Sequence, residues 1–168
     1  MQADERMPLP TRTVETTGLA WAVRSSFRRY VQRVAMGAEV TDGGVGSLPD
    51  GRFYFPIDGV QLLDREALDA EITFSGGVRF VGHAGMIDVR LGEFRLRLVA
   101  GEGTLQTNSS DGARDLVDVQ VAAISDDGGV VTLLLASRLA EGAADLFDEV
   151  YPTATPFDDL ELRAALES

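Results

Sequence analysis

The chain of 168 residues has no cysteine, a single histidine (His83) and a single tryptophan (Trp21), and all 15 of its basic residues are arginine, so lysine is absent as well. Without cysteine there is no disulfide framework, zinc ribbon, thiol nucleophile or thioether-linked cofactor, and the redox compartment cannot be read. Without lysine there is no Walker A phosphate loop and no Schiff-base nucleophile. No G-x-S-x-G elbow occurs, and a Ser-His-Asp triad would have to run through His83 alone. Apolar runs never approach the ~20 residues of a membrane span. The first residues, MQADERMPLPTRTVETTG, hold no apolar secretion segment. As written, the chain reads as a cytoplasmic protein with no membrane insertion.

Acidic residues outnumber basic ones 27 to 15, a net charge of −12. Such a surface repels phosphate backbones, so no nucleic-acid partner is expected. The apolar fraction of 45% and the 18 glycines suit one globular domain with many turns. Residues 1–17, with Pro8 and Pro10, read as a polar tail, and 18–168 as a single domain.

In "LAWAVRSSFRRYVQRVAMG", Leu19, Val23, Phe27, Tyr30, Val31 and Val34 recur at helical steps, which predicts an amphipathic helix capped near Thr16 or Thr17 and stopped at Gly37. Beyond it the period falls to two. "RFYFPI" reads as a short strand, and "EITFSGGVRFVG" as two strands or one with a bulge at Gly76–Gly77. In "GEFRLRL", Phe94, Leu96 and Leu98 face opposite to Arg95 and Arg97. "GTLQTN", "LVDVQVAAI" and "VVTLLLAS" add three strands, "RLAEGAADLFDEVY" a helical turn or two, and "LELRAAL" a final strand or short helix. The predicted fold is mostly β, antiparallel and sandwich-like, with one N-terminal helix carrying the ligand site and a short second helix near the end.

Two weak motifs read as surface turns. "GGVGSL" places Leu48 where a calcium-binding nonapeptide needs aspartate, and "NSS" at Asn108 matches a glycosylation sequon.

The predicted helix carries Arg24, Arg28, Arg29 and Arg33 and no acid, in a protein of the opposite charge. Either strand and loop carboxylates cover these cations, or an anionic ligand lies across the helix. Ser26 and Tyr30, four apart, share a face beside the apolar stripe. A flat apolar macrocycle with two carboxylates would suit such a face, because ferric haem iron accepts a phenolate. A free phenol ionises near pH ~10 and needs a partner to take its hydrogen bond. His83, in "VRFVGHAGMIDV", is the one imidazole able to do so.

Two stretches carry a resemblance: Trp21, Ser26, Phe27, Arg28 and Tyr30, then Phe74, Gly76 or Gly77, Val78, Phe80, Gly82, His83 and Gly85, with Tyr30 and His83 separated by 53 residues. In this order they resemble the HtaA-domain family of bacterial haem-binding proteins. A later Tyr151–Pro152 is similar to that family's closing segment, so the likeness runs over about residues 18–165. It implies a β-rich domain binding one ferric haem b, with Tyr30 as axial iron ligand, His83 hydrogen-bonded to the phenol oxygen, and Ser26 near a propionate. Arg29 and Arg33 are electrostatic candidates from charge alone. Phe27 is off that face and expected in the core; Tyr151 either reaches the site or packs. The resemblance further implies haem uptake, transfer or buffering, with another haem-binding protein as donor or acceptor, and leaves room for a homodimer. It suggests secretion or the cell surface if a signal has been trimmed. Alternatives from the residues are a ligand-free interaction domain and a haem-dependent peroxidase or haem-degrading enzyme.

Overall fold

The computed structural model describes residues 17–64, 66–109, 112–147 and 151–165. The expected tail at 1–16 and the 148–150 part of "LFDEVY" lie outside the described residues.

Among the described residues, twelve strands run in chain order as β1 (Gly18–Trp21), β2 (Ala38–Asp42), β3 (Gly46–Ser47), β4 (Phe53–Asp64), β5 (Asp69–Phe74), β6 (Gly77–Gly82), β7 (Ile87–Gly92), β8 (Arg95–Val99), β9 (Glu102–Ser109), β10 (Gly112–Asp127), β11 (Val130–Leu139) and β12 (Pro156–Ala165). One α-helix, α1 (Ser25–Arg29), runs directly into a π-turn at Tyr30–Val34, and 3-10 turns occupy His83–Gly85 and Ala144–Phe147. The chain is mostly β, as its patterning predicts. In β8, Leu96 and Leu98 are buried while Arg95, Arg97 and Val99 are exposed, the period-two signature of a strand with one wet face.

The expected sandwich is corrected to a barrel. β1 pairs antiparallel with β12 on one side (Leu19 opposite Leu162) and with β4 on the other (Leu19 opposite Phe55). The remaining pairings complete the ring β1-β12-β11-β10-β9-β8-β5-β4. Closure needs strongly coiled strands, which bulges provide. Register shifts occur at Asp115/Val117 and Val121/Ala123 of β10, at Leu135/Ser137 of β11, and at Ile57/Gly59 and Leu62/Asp64 of β4. Closure also removes sheet edges that would otherwise need covering.

The helix is shorter than its periodicity predicts. Leu19 to Val23 form no helical turn, because all four residues of β1 are buried between two strands. A short, wholly apolar run has no face to distinguish helix from strand. Val23, with φ of +65°, and extended Arg24 turn the chain into α1. Residues 160–165 of "LELRAAL" are part of the last strand, β12, and the helical turn expected near residue 145 is the 3-10 turn at Ala144–Phe147. Asn108 lies within β9, opposite Ala113, rather than in a turn.

Ser75 and Gly76 divide "EITFSGGVRFVG" between two sheets. β5 is a barrel stave, whereas β6 lies between β2 and β7 in a separate three-stranded sheet. That sheet is pinned to the barrel where the Gly92 N–H donates to Thr107 Oγ1 (2.9 Å) and the Thr107 hydroxyl donates to the Gly92 carbonyl (3.2 Å). Its buried Val78, Phe80 and Leu91 belong to the same core as Trp21, Phe55 and Phe94 of the barrel. Among the described residues, no helix is long and apolar enough to cross a membrane.

Candidate functional site

α1 is fixed at both ends by charge. No side chain of its own caps its start; Asp158 of β12, the strand paired with β1, performs that task, its carboxylate accepting from the Ser25 N–H (3.3 Å) and the Ser25 hydroxyl. The backbone of Asp158 accepts from Trp21 Nε1 (2.7 Å) and Ser137 Oγ (2.8 Å) and donates to the Val23 carbonyl (3.0 Å). On the other flank Arg28 forms a fork with Glu39 of β2 (2.6 and 2.9 Å) and packs over the Phe53 ring at 4.1 Å. One of the four helix cations is thus covered by a carboxylate.

With the segment held so, Phe27 is buried edge-on between Phe80 and Phe147, both at 5.2 Å. It is core, as expected, but it also walls a cavity of about 680 Å³, within the range of small-molecule sites. Ile87, Val89, Phe147 and Tyr151 complete the apolar lining. Ser26, Tyr30 and His83 supply polar atoms, and Met86, 84% exposed, stands at the rim.

The Tyr30 hydroxyl and His83 Nε2 are 2.8 Å apart, a hydrogen bond whose direction depends on the imidazole tautomer. Tyr30 is 41% exposed, so its phenol oxygen is accessible. Three backbone features fix the pair. The π-turn begins at Tyr30, whose carbonyl accepts from the Ala35 N–H at 3.0 Å; such turns recur at functional sites. Next, the Ala35 carbonyl accepts from the His83 N–H at 2.8 Å. Finally, His83 and Ala84 have left-handed backbones, φ of +50° and +56°, which swing the imidazole back over the helix. A circuit thus runs from Tyr30 backbone to Ala35, to His83 backbone, and through the imidazole to the Tyr30 phenol. It closes only because Gly82 lacks a side chain: a Cβ there would lie 2.8 Å from that of Ala35.

Of the residues singled out in the sequence, Ser26, Tyr30 and His83 line this one cavity. Arg29 does not; it faces a groove on the opposite flank of α1 with Ser25, Arg28 and Asp158. Arg33 is exposed on the π-turn and is not among the cavity's lining residues. Tyr151 does line the cavity, which answers the question its sequence position left open. Burial pushes its phenol up, opposed by the Arg24 charge and a hydrogen bond with the Ser26 side chain. Ile87, Val89, Met86 and Phe147 were not foreseen. Ile87 and Val89 carry a signal, alternation directly after the His83 turn; Phe147 and the π-turn carry none. Among the described residues there is no cluster of three or more His, Asp or Glu able to hold a metal ion.

A closed antiparallel barrel with a side sheet, and an aromatic-walled cavity whose mouth is set by a tyrosine–histidine pair on a helix and a turn, define the structural class. The chain belongs to the HtaA family, whose model matches residues 16–163. Its fold is that of the C-terminal domain of HtaA from Corynebacterium glutamicum, with a TM-score of 0.81 at 20% identity over 90% of this chain and 96% of the other. The N-terminal domain of the same protein gives 0.75 at 21% identity, over 91% and 99%. A haem-binding protein from that organism, HtaB, gives 0.65 at 20% identity, over 88% and 91%. A domain-swapped dimer of a histidine-to-alanine variant of the C-terminal HtaA domain is also similar, with a TM-score of 0.71 at 17% identity over 99% and 100%. No match was found among curated protein sequences.

Proposed function

We propose that this domain binds ferric haem b in the cavity beside α1 and acts as a carrier, in uptake, transfer or buffering, rather than as an enzyme. The observation carrying this reading is the 2.8 Å contact between the Tyr30 phenol and His83 Nε2 at the mouth of an apolar cavity. The lining suits the group: Phe27, Phe147, Ile87 and Val89 offer flat apolar contact, and the exposed phenol oxygen offers a hard donor of the kind ferric iron takes. Family membership and the haem-binding name of the similar HtaB point the same way.

In this reading Tyr30 holds the iron and His83 accepts the phenol proton's hydrogen bond, which orients the ring and favours the phenolate. Bound haem supplies a Lewis-acidic ferric centre. Ser26 lies beside the carboxylate end, while exposed Arg29 and Arg33 add only a solvent-screened attraction for an anion. Apart from Tyr30, His83 and Tyr151, the cavity's described lining has no titratable side chain, which favours a carrier over a peroxidase or haem-degrading enzyme. A carrier of this kind exchanges its cargo with a second haem-binding protein.

Hemin titration followed by visible spectroscopy tests the reading. Tyr30→Phe should abolish the wild-type spectrum and weaken binding at least tenfold. His83→Ala should shift the spectrum and weaken binding by roughly tenfold to a hundredfold, the usual cost of losing such an orienting partner. An unchanged spectrum for Tyr30→Phe would overturn the ligand assignment, and complete loss on His83→Ala alone would make His83 the ligand.

A further inference from the structure

All the sulfur in this chain is thioether sulfur, because it has four methionines and no cysteine. Met1 and Met7 lie outside the described residues. Met36 and Met86 are each 84% exposed, so solvent reaches both equally. They differ in one respect: Met86 is part of the cavity lining, with Tyr30 and His83, and Met36 is not.

The backbone fixes Met86 at the mouth. Its N–H donates to the His83 carbonyl at 3.1 Å, closing the 3-10 turn, and its helical φ of −72° follows Gly85 at +97°. The next residue, Ile87, is buried, opens β7 and lines the same cavity. Met86 therefore sits between two residues that both face the cavity.

In a protein without thiols, an exposed thioether is the sulfur that peroxide meets. The sulfur lone pair attacks one peroxide oxygen. The S–O bond forms, the O–O bond breaks, and the second oxygen leaves with both protons as water. Sulfur gives up two electrons and peroxide takes them. The sulfoxide turns a flexible apolar side chain into a polar one whose oxygen is costly to strip of water. At Met36 the new oxygen stays in solvent. At Met86 it stands on the edge that a flat apolar ligand has to cover.

We propose that Met86 is a peroxide-modification site, whose conversion to the sulfoxide weakens the cavity's hold on its ligand and so releases cargo under oxidising conditions. This rests on the haem reading and adds a control to it. Met36, equally exposed but outside the lining, oxidises without that effect.

The test oxidises the ligand-free protein with hydrogen peroxide, removes the excess with catalase, maps sulfoxides by peptide mass spectrometry and then titrates hemin. Met36 and Met86 should both convert, and hemin binding should weaken by about fivefold, the size expected for a polar group desolvated at a partly open rim. Oxidised Met36→Leu should lose the same factor, and oxidised Met86→Leu should lose none. Met86→Gln should reproduce the loss without peroxide. Methionine sulfoxide reductases with dithiothreitol should restore binding to the oxidised wild type. Circular dichroism checks the fold of each variant, and the reductase step decides without any substitution.

Unchanged hemin affinity after full conversion of Met86 would overturn the inference. So would an equal loss in oxidised Met86→Leu, or a Met86 that remains a thioether once Met36 has converted. Those outcomes leave the haem reading standing; failure of the unoxidised wild type to bind hemin would overturn that reading, and the inference with it.

Discussion

His83 occupies a backbone conformation that L-residues rarely adopt, followed by Ala84 in the same region and Gly85 at φ of +97°. Each non-glycine residue held there costs on the order of 1–3 kcal/mol, and persists only where its surroundings fix it. Here the surroundings are the Ala35–His83 backbone bond and the contact of Gly82 with Ala35. Gly82→Ala should therefore force the His83 turn away from the π-turn, destabilise the fold by about 1–3 kcal/mol, and separate the imidazole from the phenol. Since His83 is the single histidine, one imidazole resonance reports the change: its NMR chemical shift should respond to Tyr30→Phe in wild type and not in Gly82→Ala. Equal sensitivity in both backgrounds would show that Gly82 does not set the pair. The pair itself was legible in the sequence because the phenol and the lone imidazole fall inside recognisable motifs.

The side sheet that presents His83 is tied together at its far end by Arg90 of β7. Arg90 reaches across β6 to Asp42 of β2 (2.7 and 3.1 Å) and also holds Glu93 (2.8 Å). The hydrogen bond from Arg90 keeps the Asp42 carboxyl below the usual carboxylate range. A carboxyl lowered in the folded state stabilises the fold above its unfolded value, near pH ~4, and that contribution disappears as the pH falls through the folded value. Because both side chains are partly exposed, the effect is small, below about 1 kcal/mol. Asp42→Asn should lower the urea midpoint at pH 6 and narrow its gap to wild type at pH 3; a gap that stays constant with pH would exclude the ion pair as its cause. At this scale, alternation made β8 plain, and the glycine pair at 76–77 marked where β5 ends and β6 begins. The helix start was misplaced because "LAWAV" is apolar at every position. The extra residue of the π-turn leaves no compositional trace, being fixed by packing of Ala35 and Gly37 against β6; a Cβ on Gly37 would lie 2.0 Å from the Val81 carbonyl.

Across the whole molecule, the charge of −12 makes the folded state repel itself, and salt screens that repulsion within about 10 Å at 0.1 M. Raising NaCl from about 10 to 150 mM should raise the melting temperature by a few degrees; a fall would mean that the favourable ion pairs outweigh the net repulsion. Sandwich and barrel share the same alternation, so composition and period could not separate them. What distinguishes them is a four-residue strand with a partner on each side, and pairing partners remote in sequence leave no local signal. At about 20% identity to its structural relatives, the chain retains the barrel with few shared side chains, as expected when topology depends on pattern and bulges more than on particular residues.

The β1–β12 seam joins residues 18–20 to residues 161–163, and this imposes an order on synthesis. Every other stave can be in place while the ring stays open, because its last member leaves the ribosome only after residue 165 has been added. Phe147 and Tyr151, which wall the cavity, also emerge late, whereas Tyr30 and His83 are translated well before them. A nascent chain thus displays the phenol and imidazole before it owns a pocket around them, and the pocket exists only once the closing stave is in place.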